Sequence, residues 1–296
     1  MKTLAKLGCV VAACLFAAPD ATACDLSIVS EGSGDVRGFS GLEGETVLQP
    51  VRLRLRNSGD TSCSGTIAFR QVAADARLRA AHGGSLRYRL VDERAGQAVL
   101  FDPEMSLAMP VALRVGPQST VSFSPRLRME AGQGARSGRY SARVDAVFTD
   151  TDKGVEAARE PVELRARVAP RVEANWVGVS RGAGTDEASL DLGELRRGLV
   201  RRAALQMRSN SDVTVEVESI NRGSLQHGTD ASSRIRYGLR LDGEAVDLSG
   251  VSVLRDKKRR GHKAGRNLPV SIVVGDTSRA RAGEYSDTIL VRISAR

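Results

Sequence analysis

The side chains that could do chemistry in this chain are few and lie far apart. Asp150 and Asp152, followed by Gly154, resemble the start of a calcium-binding loop, but the third acidic position and the distant Glu of such a loop are missing. A Gly/Asp turn between strands is the alternative. The three histidines share no metal-ligand spacing and lie in Gly-rich or basic segments: His82, His227 and His262. No Ser/His/Asp set, carboxylate pair or phosphate-binding Gly loop stands out, so we expect neither an enzyme nor a cofactor.

The amino-terminal residues predict export. A basic start is followed by the apolar stretch Leu7–Ala18 and by the A-x-A sequence Ala21–Ala23, which is typical of a Sec signal peptide over residues 1–23. Cys24 then begins the mature chain, and a lipid anchor on it is an alternative. In an exported chain, Cys24 and Cys63 most simply form a disulfide. A redox or metal pair is the other option, but CxxC spacing and a nearby histidine are missing.

The chain is basic, with a formal net charge of +9. Such a charge suits anionic polysaccharide, lipopolysaccharide or an anionic abiotic surface, whereas export makes nucleic acid a poor partner. The densest basic run is Arg255–Arg266, and five of its residues are candidates for an anion contact: Lys257, Lys258, Arg259, Arg260 and Lys263. A solvated loop between strands is the alternative for this run.

The surrounding sequence predicts an all-β protein. Short runs of alternating apolar and polar residues are separated by Gly, Asp and Asn. The nearest candidate for a helix is Val72–Ala81, which is long enough for a turn or two. In the second half we predict strands over Val172–Val179, Ala188–Leu192, Ala203–Arg208, Thr214–Ser219, Ile235–Leu241, Leu268–Val274 and Tyr285–Ile293.

One pattern occurs twice and divides the chain into two parts. Three landmarks recur in the same order, as the pairs Asn57/Asn210, Tyr88/Tyr237 and Tyr140/Tyr285. A repeat of this length indicates duplicated domains rather than a solenoid of short units. The strand spacing favours immunoglobulin-like β-sandwiches. We therefore expect two tandem domains, over residues 24–169 and 170–296, in agreement with the length of the chain.

The two copies differ at their ends. After the Tyr140 strand, the first copy continues into Val162–Val168, where apolar and charged residues alternate and predict a half-buried final strand. No matching segment follows Ile293. We therefore expect the second sandwich to lack its last strand, with an open acceptor edge formed by Tyr285, Ile289, Val291 and Ile293. An open edge either accepts a strand from another chain or needs protection.

Four segments of the second domain are distinctive in combination: Asn210–Asp212, Ser219–Leu225, Tyr237–Gly243 and Ala282–Thr288. Together they resemble spore coat protein U-like domains, the pilin domains of archaic (Csu-type) chaperone–usher pili. The first domain matches less well. It keeps the Tyr88 and Tyr140 strands, and its Cys24/Cys63 pair is placed as pilins often place theirs.

The resemblance implies that a strand from outside completes the second domain. In this family a periplasmic chaperone lends the strand, and a neighbouring pilin subunit later replaces it by donor-strand complementation. The outer-membrane usher is a further partner. Tip adhesins of the family place a complete receptor domain before such a pilin domain, and no apolar donor segment precedes the first domain here. The implied protein is a pilus subunit at the cell surface, at the fibre tip, that attaches to an unknown surface or anionic ligand and supports biofilm formation.

Two features depart from the family pattern. The second domain has no cysteine pair. An apolar loop that could grip a surface is not evident in the first domain, and its candidates are equally suited to fold over the core: Phe101, Met105, Leu107, Met109 and Val111. Two other functions stay open. One is a free-standing secreted or periplasmic binding protein whose last strand is supplied locally, and the other is a periplasmic pilus chaperone.

Overall fold

The structure is a computed structural model that describes residues 24–32, 35–39, 46–72, 77–93, 98–181, 187–256 and 265–296. Within these ranges the protein is all-β. They contain no helix, and therefore none that could cross a membrane. The helical turn considered for Val72–Ala81 is wrong where the segment is described, because Leu78–Arg79 is a strand. The predicted signal peptide and the five basic residues from Lys257 to Lys263 lie outside the described residues.

The described residues up to Val168 form fifteen strands. They are β1 (Leu26–Gly32), β2 (Asp35–Phe39), β3 (Val47–Pro50), β4 (Arg52–Asn57), β5 (Cys63–Gln71), β6 (Leu78–Arg79), β7 (Ser85–Leu86), β8 (Arg89–Asp92), β9 (Ala98–Asp102), β10 (Leu107–Ala108), β11 (Val111–Val115), β12 (Thr120–Phe123), β13 (Arg126–Met129), β14 (Gly138–Asp150) and β15 (Glu156–Val168). Three sheets result, with strand orders β1-β4-β12, β10-β9-β8-β13-β3 and β11-β5-β14-β15-β2.

The predicted alternating strand is the carboxyl-terminal half of β15. Val162 and Leu164 are fully buried, whereas Glu163 between them is exposed. β15 is antiparallel to β14 over its whole length, and β2 runs parallel to its other edge from Arg165 onward. β15 therefore closes the first domain between β14 and β2. One face of β15 packs on the core and the other faces solvent, and this explains the alternation of apolar and charged residues that predicted the strand.

The remaining described residues form twelve strands. They are β16 (Val172–Val177), β17 (Ser180–Arg181), β18 (Ala188–Ser189), β19 (Val200–Ser209), β20 (Val213–Ser219), β21 (Ser224–His227), β22 (Arg234–Leu241), β23 (Glu244–Val246), β24 (Ser252–Asp256), β25 (Arg266–Val274), β26 (Tyr285–Ser286) and β27 (Ile289–Ala295). The larger sheet has the order β16-β19-β25-β22-β21-β26, with β23 paired to β22. The opposing sheet has the order β24-β20-β27, and β17 pairs with β18.

The two groups of strands build separate cores. No described strand before Val168 pairs with one after it. One buried apolar cluster is centred on side chains such as Phe69 and Phe148, and the other on Leu205 and Val215. We propose that the boundary between two domains lies at residues 169–170, as the repeat predicts.

The predicted disulfide joins the first residue of β5 to the chain just before β1. Cys24 and Cys63 are bonded, with their Cα atoms 5.4 Å apart and a sequence separation of 39. The bond ties the start of the first domain to a central strand, because β5 pairs with both β11 and β14. By the chain-entropy model, a loop of this length stabilises the fold by about 4 kcal/mol.

Candidate functional site: the open edge of the second domain

The second domain repeats one strand pair of the first in the same register. In the first domain, β14 pairs with β5, and in the second, β27 pairs with β20. The equivalent partners are Val144–Gln71 and Ile289–Ser219, Ala146–Phe69 and Val291–Val217, and Phe148–Ile67 and Ile293–Val215. Both strands of the pair are thus duplicated without a slip, although the loops between them differ in length.

The difference between the two domains lies on the other edge of this pair. β14 has β15 beside it along its length. β26 and β27 together correspond to β14, and each has a partner on one side: β26 pairs with β21, and β27 pairs with β20. No strand among the described residues pairs with the other edge of either one. The backbone N–H and C=O groups along that edge therefore have no hydrogen-bonding partner strand among the described residues.

Burial of the side chains shows what the missing neighbour would cover. Four positions of β14 are buried, with Tyr140 at 2% exposure and Val144, Ala146 and Phe148 at 0%. Their four counterparts all pack against the second core but are half-buried: Tyr285, Ile289, Val291 and Ile293. The four residues predicted for the acceptor edge are therefore the ones that lose cover where β15 has no counterpart.

The opposite wall of the gap is β16. In the first domain, β1 pairs with β4 and places Leu26 and Ile28 at 7% and 6% exposure. In the second domain, β16 pairs with β19, but its apolar residues Val172 and Trp176 are half-buried. β16 and β27 lie close to each other at the ends of their two sheets. We propose that the half-buried apolar side chains of β16 and β27 line a groove for a further strand, which we call the acceptor groove.

A polar cluster fixes the point where β26 leads into β27. The Asp287 carboxylate accepts hydrogen bonds from Ser219 Oγ at 2.6 Å and from Tyr237 Oη at 2.5 Å. It also accepts the backbone N–H groups of Asn221 at 3.0 Å and Thr288 at 2.7 Å. Burial, together with the bond to Asp287, raises the pKa of the Tyr237 hydroxyl, so Tyr237 stays protonated and donates. The cluster ties the junction of β26 and β27 to β20 through Ser219 and to β22 through Tyr237.

Each Gly-x-Tyr segment forms a corner of its sandwich. Tyr140 Oη donates to Arg136 O at 2.9 Å, and Tyr285 Oη donates to Arg281 O at 3.0 Å, four residues earlier in both cases. This bond closes the loop that leads into the strand, as in the tyrosine corners of other sandwiches. The recurrence of these tyrosines therefore reflects a shared corner structure. Their difference in burial agrees with the presence of β15 beside Tyr140 and the lack of a described strand at the same place beside Tyr285.

Two histidines complete these corners, a role that the sequence analysis did not identify. The ring of His82 lies edge-on to Tyr140, and that of His227 lies edge-on to Tyr285, with centroids 5.9 and 5.0 Å apart. Gly283, at φ 148°, faces the His227 ring, so a side chain there would collide with it. Each histidine precedes its tyrosine by 58 residues. That equal spacing is the signal that could have revealed the pairs.

The other candidate residues fall into distinct places. Asp150 is buried at 6% exposure and accepts the N–H groups of Asp152 and Lys153, which is the geometry of a turn. The described residues contain no group of three potential metal ligands. Among the apolar-loop candidates, Phe101 is buried, whereas Met105 and Met109 are 70% and 50% exposed.

Comparisons with known proteins give structural neighbours at low identity. No protein-family model and no curated protein matches the chain. One neighbour is a chain of the CsuC–CsuE chaperone–tip adhesion subunit pre-assembly complex from archaic chaperone–usher Csu pili of Acinetobacter baumannii. It has 12% identity and a TM-score of 0.46, with 88% of this chain and 96% of that chain covered. Another is the CupB6 tip adhesin from Pseudomonas aeruginosa, with 12% identity, a TM-score of 0.39, and 91% and 94% covered. No residue role is transferred on similarity of this size.

Proposed function

We propose that the protein is an exported subunit of a chaperone–usher-type pilus whose second domain accepts a β-strand from another chain. The observation that supports this is the matched register of β5/β14 and β20/β27, combined with the absence of a neighbour for β27 among the described residues. The sequence resemblance to spore coat protein U-like domains points to the same process. The strand would come from a periplasmic chaperone in transit and from a neighbouring subunit in the fibre, with the usher as the assembly site.

The structure allows an estimate of what strand acceptance is worth. Full burial of an aliphatic side chain contributes about 1.5–3 kcal/mol, and Ile289, Val291 and Ile293 are already half-buried. Covering them should therefore contribute on the order of 3 kcal/mol in total. Each backbone hydrogen bond along β27 adds about 1 kcal/mol. The donor should present alternating apolar residues to the groove, as β15 does in the first domain.

The first domain would make the contact with the surface or ligand. Its fold is completed by its own β15, so it has no need of a donor at the corresponding place. Asp102, at 2% exposure, binds Arg89 and accepts the N–H groups of Glu104 and Met105. This fixes a turn that holds Met105 in solvent, so Met105 and the exposed Met109 are available for an apolar contact. We place the self-completed domain outward, at the fibre tip.

The same domain suggests its own measurement. Met105→Ser combined with Met109→Ser should weaken attachment of the protein to apolar surfaces without lowering its thermal midpoint, because both side chains are largely exposed. Equal attachment by this variant and the parent would remove Met105 and Met109 from the contact.

Strand acceptance can be tested by giving the second domain a strand of its own. Position 295 corresponds to Asp150, so the turn and strand that follow in the first domain can be appended as a copy of residues 152–168 after Arg296. The mature chain with this extension should gain roughly 10 °C in the thermal midpoint of its second domain. Hydrogen exchange should also slow at β27.

The control is the same extension with its alternating apolar residues changed to serine, which keeps length and turn but cannot fill the groove. Equal midpoints for the two extended proteins and the parent, with the parent monomeric and stable, would rule out an acceptor groove. Purified surface fibres that contain this chain would separately establish that the accepted strand serves a pilus.

A further inference from the structure

Three arginines stand side by side on the outer face of the first domain. Arg139 on β14 and Arg167 on β15 are direct cross-strand partners. On the next strand, Arg37 lies beside Arg167, because the register on either side of it pairs Val36 with Ala166 and Phe39 with Val168. All three arginines are exposed. Since adjacent strands are about 4.8 Å apart, the row repeats positive charge at that interval.

The neighbouring rows are also basic. Ser141 on β14 lies between Arg79 of β6 and Arg165 of β15. One row further on, Arg143 faces Glu163, which also forms an ion pair with Arg165 at 2.5 Å. The exposed side of these rows, which we call the arginine face, consists of Arg37, Arg79, Arg139, Arg143, Arg165 and Arg167. Among the described residues, the acidic ones in these rows are Glu163 and Asp35, against six arginines.

The other end of the same β-sheet face is built differently. There Arg159 binds Glu156 at 2.7 Å and Asp145 at 3.3 Å, and Arg70 approaches Glu156 at 3.5 Å. The hydrogen bond from Arg159 lowers the pKa of Glu156, which keeps that carboxylate charged. In the part of the chain that the structure describes, neither Arg139 nor Arg167 has an ion pair. Like charges directly opposite each other on a sheet are destabilising, so this end of the face is not arranged for stability.

We propose that the arginine face binds an anionic polysaccharide that carries sulfate or carboxylate groups. The face extends across β6, β14, β15 and β2 on the exposed side of one sheet, so it suits an extended polymer that crosses several strands better than a small enclosed ligand. Guanidinium groups bind sulfate and carboxylate through paired hydrogen bonds. Successive charged sugars along an extended chain present anions at intervals similar to the spacing of strands. Ser141, between Arg79 and Arg165, is exposed and offers a hydroxyl for a hydrogen bond to a sugar.

This inference does not depend on the acceptor groove, since the arginine face belongs to the first domain. It also differs from the anion contact predicted over Lys257–Lys263. The two sites can be separated by mutation, because the basic run and the arginine face share no residue.

The test measures binding of heparin by the mature full-length chain and by its variants. Arg139→Ser with Arg167→Ser should weaken heparin binding on the order of tenfold at physiological salt, from the loss of two exposed charge contacts. The matched control, Arg70→Ser with Arg159→Ser, removes the same charge from the paired end of the same sheet face and should change binding less than about twofold. Serine replacements at Lys257, Lys258, Arg259, Arg260 and Lys263 form the third arm, with the same small effect expected.

Arg167→Glu separates binding from folding. It places an acid opposite Arg139, so the thermal midpoint should stay equal or rise while heparin binding falls. The proposal would be overturned by equal losses of heparin binding in the two double variants. It would also be overturned by a loss confined to the third arm, with serine at the five basic positions between 257 and 263. A length-matched DNA strand that binds as tightly as heparin would overturn the assignment to polysaccharide.

Discussion

Replacing Asp287 with alanine should loosen the second domain at the point where its open edge begins. The carboxylate accepts four hydrogen bonds, and two of its donors are buried hydroxyls, Ser219 at 5% and Tyr237 at 8% exposure. A buried donor without an acceptor costs about 1–3 kcal/mol. We therefore expect the two hydroxyls to account for a loss of about 3 kcal/mol in the free energy of unfolding. Asp287→Asn keeps one acceptor oxygen and should lose about half as much.

Trp176 provides a specific assay, because it is the one tryptophan in the sequence and lies on β16 of the second domain. Its fluorescence during urea unfolding reports the second domain, whereas the first contains no tryptophan. The control is Asp276→Ala, which removes an exposed carboxylate that binds Ser278 within a loop. An Asp287→Ala protein with the same Trp176 midpoint as the Asp276→Ala control would refute the role given to the cluster. So would a loss in Asp287→Asn as large as in Asp287→Ala.

Two further predictions concern alkaline pH and the disulfide. The pKa of Tyr237 is raised in the fold, chiefly by burial, so its contribution to stability is complete below about pH 10, where unfolded tyrosine ionises, and declines above it. In Tyr237→Phe, the urea midpoint reported by Trp176 should therefore depend less on pH above pH 10. A pH dependence equal to that of the parent protein would contradict this. Converting Cys24 and Cys63 together to alanine should destabilise the first domain by about 4 kcal/mol and leave the urea midpoint of the Trp176 transition unchanged. A shift of that midpoint would show that the two domains unfold together.

Periodicity in the sequence predicted the strands that have one face on a core. β15 is an example, but it begins at Glu156, six residues before the predicted start. The added residues include Pro161, which normally argues against a strand interior. Pro161 is tolerated because β2 pairs with β15 only from Arg165 onward, so no described strand pairs with that edge of β15 at Pro161. Local pattern could not reveal this, since it depends on where a distant strand ends.

The short strands of the second domain were missed for a related reason. β21, β23 and β24 are three to five residues long, too short for alternation to be distinguished from a loop. The predicted strand over Tyr285–Ile293 divides into β26 and β27 because Asp287 binds the N–H groups of Thr288 and Asn221 with its side chain. Side-chain bonds of this kind interrupt a ladder and leave no mark on apolar periodicity.

The acceptor edge is a prediction that rests on a difference between two copies of one pattern, whereas the sequence offers no comparable signal for the arginine face. The alternation of arginine with apolar residues on β15 is what any solvated strand shows. Only the register, which sets Arg139 opposite Arg167 and Arg37 beside it, turns separate charges into a row. The two surfaces also differ in what they require of the molecule. The edge strand β27 turns Ile289, Val291 and Ile293 toward the core and carries one charged residue, the exposed Arg292, on its other face. The proposed strand acceptance would add a partner strand to β27, whereas the arginine face is already formed by the strands of the first domain.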